Sequence, residues 1–127
     1  MAAPLPSLTP GQRRILLLSA AINALGALLF VPSLPQIRGI IGLPEADAFY
    51  LWLVASWILL FGLAYLAMAL SGRKERGVLA VGAGAKATFA FLVLGYVLSG
   101  RWPAQASLLA GIDLVLAVIY ARWLRQA

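Results

Sequence analysis

From Ala48 through Gly72 the chain carries no formal charge, and three more runs are almost as bare. Nothing ionised lies between Arg14 and Arg38; Lys86 is alone between Gly77 and Gly100, and Asp113 is alone between Trp102 and Ala121. Each run approaches or exceeds the roughly 20 residues that an α-helix needs to cross a bilayer. A water-soluble domain carries about 25% charged residues; this chain of 127 residues has 11%, with 63% hydrophobic residues and a mean hydropathy of +0.95. There is too little polar surface to cover a globule in water. In lipid every backbone N–H and C=O must be satisfied inside its own segment, so the runs are expected to be helices. The expected architecture is an all-α integral membrane protein. It is one domain over 1–127, a compact four-transmembrane-helix bundle with helices at about 13–32, 46–71, 77–99 and 104–124.

Punctuation supports these limits. Pro10-Gly11 precedes the first helix and Pro32-Ser33-Leu34-Pro35 ends it. Pro44-Glu45-Ala46-Asp47 opens the second, placing carboxylates at the positive end of its dipole. Ser99-Gly100-Arg101-Trp102-Pro103 forms a short turn before the fourth. Arg13, Arg14, Arg73, Lys74, Arg76, Arg122 and Arg125 fall on one side of this topology, against Arg38 and Arg101 on the other. Cytoplasmic loops collect Lys and Arg, so both termini are expected inside. Trp52, Tyr50 and Trp102 mark the outer interface, and Trp123 and Tyr120 the inner one. The stretch Arg13–Ala27 also has the shape of a signal peptide, but its apolar run continues to Val31, so it is expected to remain as a helix. Residues 34–43 are too short to span and are expected to lie in the outer interface, with Ile37, Ile40 and Ile41 against lipid or the bundle.

Composition removes several kinds of chemistry. Cysteine and histidine are absent, which excludes disulfides, thiolate nucleophiles, imidazole bases and haem ligation by His. Asp113 is the lone carboxylate inside a span, too little for a metal site. The net charge of +6 is spread over helix flanks, not gathered in a patch, so no nucleic-acid partner is expected. No nucleophile elbow, phosphate loop or dinucleotide fingerprint occurs. The expectation is a protein with no cofactor and no catalytic residues. A Lys86 Schiff base with Asp113 as counter-ion is conceivable chemistry, but four short helices make a poor pocket for a retinal-like aldehyde.

The polar residues inside the runs are the candidate site. An ionised side chain at the bilayer centre costs about 2.5–3.5 kcal/mol on insertion scales, so it is kept where it is paired or functional. At 1.5 Å of rise per residue, Asn23, Lys86 and Asp113 fall near the centres of their helices, with Trp57 about one turn away. An unpaired ammonium at that depth would shed its proton or snorkel outward. A carboxylate beside it would hold the charge, and the helices bearing Lys86 and Asp113 are antiparallel neighbours because their turn is so short. Asn23 can donate and accept, and Trp57 offers an N–H and a π face. Gly82, Ala83, Gly84, Ala85 and Ala87 leave room around Lys86. Ser19-x-x-x-Asn23 and Gly82-x-x-x-Lys86 put each pair on one helix face. Lys86, Asp113, Asn23 and Trp57 are thus the expected ligand-binding or proton site. The competing reading is a buried ion pair that only sets helix register.

In length, helix count and cytoplasmic termini the whole chain resembles the DoxX-like group of small bacterial four-helix membrane proteins. The resemblance implies the same layout and transfers no site residue, as no motif of that group is present. Small multidrug transporters carry an acidic residue where this chain has Asn23, and fluoride channels carry a Thr-Phe-Ser-Thr motif that is missing here. Usage rich in Ala, Leu, Gly and Arg looks bacterial, which points to the inner membrane. The expected function is non-enzymatic: binding or transport of a small polar or amphipathic ligand, or a lipid, at the midplane. The alternative is an accessory or assembly subunit of a larger membrane complex. Small residues at Gly62, Ala64, Ala67, Ala69 and 82–85 are expected to favour a homodimer.

Overall fold

The computed structural model describes residues 7–126. Helix α1 runs Pro10–Leu28, α2 Pro35–Ile41, α3 Ala48–Ser71, α4 Arg76–Leu98 and α5 Ser107–Arg125; a single 3-10 turn, Ala104–Ala106, leads into α5. No strand occurs among the described residues. Three stretches are long and apolar enough to cross a membrane: Ala48–Ser71, Arg76–Leu98 and Ala104–Arg125. The expected four spans include α1. That helix has 19 residues, but Gln12, Arg13 and Arg14 fall within its first five residues and Asn23 in its interior, which dilutes its apolar character.

Local chemistry moves several expected ends. The first helix starts at Pro10 and not near 13, because Thr9 forms a capping box. Its Oγ1 accepts from the Gln12 N–H at 3.1 Å, and Gln12 Oε1 accepts from the Thr9 N–H at 3.0 Å. Pro10 at the first position needs no partner for the N–H it lacks. The same helix ends at Leu28 instead of 32. Pro32 disfavours helical geometry at Val31, and the chain leaves through i→i+3 bonds such as Phe30 N–H to Ala27 O. Asp47 caps α3 by accepting from the Phe49 N–H at 2.9 Å. Gly42, Gly72 and Gly100 take the left-handed conformation that ends α2 and α3 and turns the chain after α4.

The helices pack as two antiparallel pairs, α1 with α3 and α4 with α5. The Leu8 N–H to Gly72 O bond ties the terminal end of the first pair. The two pairs are bridged at the terminal end by Leu16, Tyr65, Met68, Leu79, Tyr120 and Trp123, all buried. At the α2 end Phe30, Leu51, Ala55, Ala90, Val93 and Ala110 do the same work. Outward faces carry Leu18, Leu25, Leu60, Leu70, Leu92 and Leu98, all exposed. An apolar exterior around an interior that holds Asn23, Lys86 and Ser19 is the arrangement that lipid, not water, stabilises.

The segment 34–43 contains a helix too short to span, and its isoleucines divide between the bundle and the exterior. Ile37 and Ile41 are half-buried and Ile40 is exposed, while Arg38 is buried and its Nη1 has no hydrogen-bond partner among the described residues. A buried, unpaired donor costs about 1–3 kcal/mol. Arg38→Met is therefore expected to raise the thermal midpoint of the purified protein, read by scanning tryptophan fluorescence. A lowered midpoint would show that the guanidinium has a partner in the membrane.

Candidate functional site

Lys86 sits in the middle of α4, where Gly82 one turn away allows another helix to come close. The ammonium donates to Asp113 Oδ1 on α5 at 3.1 Å and to Asn23 Oδ1 on α1 at 3.0 Å. It also stands 5.5 Å from the centre of the Tyr65 ring on α3. All four long helices thus converge on one cation, which is 5% exposed. Asn23 is held by its own amide, which donates to the Ile58 carbonyl at 2.9 Å. Its two polar ends are then both used, and its role is to orient the ammonium.

Two glycines permit this convergence. A Cβ on Gly62 would lie 2.9 Å from the Asn23 Cβ and 3.4 Å from the Ala20 carbonyl, so α1 and α3 touch there through backbone. A Cβ on Gly82 would lie 2.7 Å from the Tyr65 hydroxyl, so α4 makes the seat for that ring. On the terminal side of the pair lies a polar layer: Tyr120 Oη donates to Ser19 Oγ, which donates to the Ile15 carbonyl at 2.8 Å. The Tyr65 and Tyr120 rings meet at a tilt of 51° with centres 5.2 Å apart, whereas the Tyr65 hydroxyl is buried with no hydrogen-bond partner among the described residues.

Between this aromatic layer and the Phe30–Phe89 edge contact, 6.3 Å between ring centres, the two helix pairs separate. The gap is a groove of about 650 Å³, within the range of about 300–1,000 Å³ usual for small-molecule sites. Its walls are apolar, among them Leu25, Phe30, Val54, Phe89, Leu92 and Ile112. Its polar lining includes Asn23, Lys86, Asp113 and the Tyr65 ring. Leu25, Leu92 and Ile112 are also exposed, so the groove opens sideways, toward the lipid-facing surface.

The expected site residues therefore separate. Lys86, Asp113 and Asn23 are brought into direct contact. Trp57 is not: it is 57% exposed, lines the groove at its edge and forms no hydrogen bond with the pair among the described residues. Its depth matched the others, but its side of α3 faces outward. Tyr65, one turn beyond Phe61, takes the inward place. Sequence reasoning overlooked Tyr65 and read Gly62 only as a small residue favouring a homodimer, although the two are three residues apart and so share a helix face. Phe89 and Tyr96, on the same stripe of α4 as Lys86 by spacing, form aromatic pairs instead: Phe89 with Phe30, and Tyr96 with Trp102.

Fold and site define an all-helical protein with three helices suited to a membrane and a buried ion pair beside a lateral apolar groove. No protein-family model, curated protein or solved structure matches the chain.

Proposed function

We propose that the chain is a bacterial inner-membrane protein of four spans, α1 included, with both termini cytoplasmic. Its role is to bind or carry a small polar or amphipathic ligand, or a lipid, in the groove beside Lys86 and Asp113. The observation that carries this reading is the groove itself: an apolar, sideways-open cavity with one charged pair on its floor. A bundle that used the pair only for register would gain by packing that space shut. Among the described residues no group of His, Cys, Asp or Glu that could hold a metal ion accompanies the pair. The proposed layout resembles that of the DoxX-like group, and the reading borrows nothing else from it.

The second reading is an accessory or assembly subunit whose ion pair is purely structural. What favours it is that Lys86 already has two protein acceptors, Asn23 and Asp113. Native mass spectrometry of the protein released from nanodiscs of inner-membrane lipid separates the two. A retained lipid or small molecule, lost on widening the side chain at Ala85 to Phe, supports the first. A bare chain, or one that co-purifies only with other subunits, supports the second.

Topology is tested independently. Reporter fusions after Gly72 and Gln126 are expected to read as cytoplasmic, and one near Pro44 as periplasmic. A cytoplasmic signal at Pro44 would remove α1 or α3 from the set of spans. A homodimer is part of the same proposal. Gly62 and Ala69 are consumed inside the subunit, but Gly84 has nothing within 4 Å of where its Cβ would be and remains for a second copy.

A further inference from the structure

The ion pair leaves two bonding positions unused, and they differ in sign. An ammonium has three N–H donors; Asn23 Oδ1 and Asp113 Oδ1 take two of those of Lys86. Asp113 gives one oxygen to the pair, and its Oδ2 has no hydrogen-bond partner among the described residues. The Asp113 side chain is 18% exposed and lines the groove, so that oxygen is within reach of an occupant. Asn23 offers nothing more, since Ile58 O holds its amide. Next to an apolar cavity, a spare donor and a spare acceptor on the two partners of one ion pair select the chemistry of what lies over them.

We propose that the groove takes an uncharged long-chain amphiphile whose head is a hydroxyl. The head oxygen accepts from the free N–H of Lys86, and the head O–H donates to Asp113 Oδ2. This rests on the reading that the groove holds a ligand and adds the class of its head group. A hydroxyl carries one donor and two acceptor lone pairs, which matches both unused positions at once. A carboxylate would satisfy Lys86 but bring a second negative charge against Asp113. An amine head would do the reverse against Lys86. Either ionised head would leave one uncompensated charge in a medium of low dielectric, because the ion pair is already neutral. A ketone or quinone oxygen can accept from Lys86 but leaves Asp113 Oδ2 dry, and a bare hydrocarbon leaves both unmet. Leu25, Leu92 and Ile112, apolar and exposed, provide a wall for the chain.

The test uses the full chain in phosphatidylcholine nanodiscs, which contain no competing alcohol. Four diazirine-tagged probes of one chain length are offered: a primary alcohol, the carboxylic acid, the primary amine and the plain alkane. Labelling is mapped by peptide mass spectrometry. The alcohol is expected to label the peptides bearing Leu25, Leu92 and Ile112 about tenfold more than any other probe, as two well-formed hydrogen bonds warrant. In the Lys86→Met/Asp113→Leu double variant, which strands no charge, that preference is expected to vanish while alkane labelling of the same walls persists. Equal labelling of the walls by all four probes would overturn the head-group assignment and leave the groove as a ligand site, with water on the ion pair. A preference for the acid or the amine would also overturn it. No labelling of these walls by any probe would overturn both this inference and the binding function beneath it.

Discussion

Lys86→Met and Asp113→Leu are each expected to destabilise the protein by about 3–5 kcal/mol, and the double variant to recover most of that loss. Either single change strands a charge among Tyr65, Asn23 and apolar walls, where no described residue can replace the lost partner. Removing both exchanges a desolvated pair for hydrocarbon of similar volume, which is often neutral. Lys86→Met also leaves Asn23 Oδ1 without its donor, so the Lys86 variant is expected to lose slightly more than the Asp113 variant. Thermal unfolding in a mild detergent, followed by tryptophan fluorescence, measures all three. Losses that simply add in the double variant would mean that the two groups do not interact. Recovery of stability together with loss of ligand would assign the pair to function and not to folding.

Gly62→Ala is expected to cost about 1–3 kcal/mol, a large effect for one methyl group. The new Cβ would meet the Asn23 Cβ at 2.9 Å and the Ala20 carbonyl at 3.4 Å. One of these is backbone, so α1 itself must move away from α3. That movement pulls Asn23 from the Ile58 carbonyl and takes an acceptor from Lys86. Gly84→Ala is the control. It lies on α4 two residues from Lys86, meets nothing within 4 Å, and is expected to leave the monomer's stability unchanged or higher. The same unfolding assay compares them, and equal midpoints would mean that α1 and α3 are not in close contact at Gly62. If Gly84 faces a second copy, a bulkier Gly84→Leu should lower the dimer fraction seen by light scattering without altering the midpoint of the monomer.

Much of this molecule is legible along the chain because its determinants are local. Charge-free runs demand helices, as lipid offers no partner to a peptide group, and this held for Ala48–Ser71 and Arg76–Leu98 to within a few residues. Caps are equally local, though easily overlooked. The Thr9–Gln12 box extended α1 beyond the apolar run, and Pro32 shortened its other end. The meeting of Lys86 with Asp113 was foreseeable because a short turn forces α4 and α5 to be neighbours and their depths match.

Depth alone could not say which way each side chain points. Trp57 shared the depth of Asn23 and Lys86 but lies at the groove's edge, and Tyr65 lies inside. Hydropathy is almost uniform around a membrane helix such as α3, so the pattern of apolar residues carries little information about its rotation. That rotation is chosen by contacts between distant segments: Gly62 against Asn23, Gly82 under Tyr65, and Tyr120 against Ser19. The pairing of α1 with α3, and so the gap between that pair and α4 with α5, follows from the same few close approaches. A run of apolar residues specifies a helix and its length through backbone hydrogen bonding within the run. Which faces meet, and what empty space remains beside the ion pair, depends on side-chain shape across four helices at once.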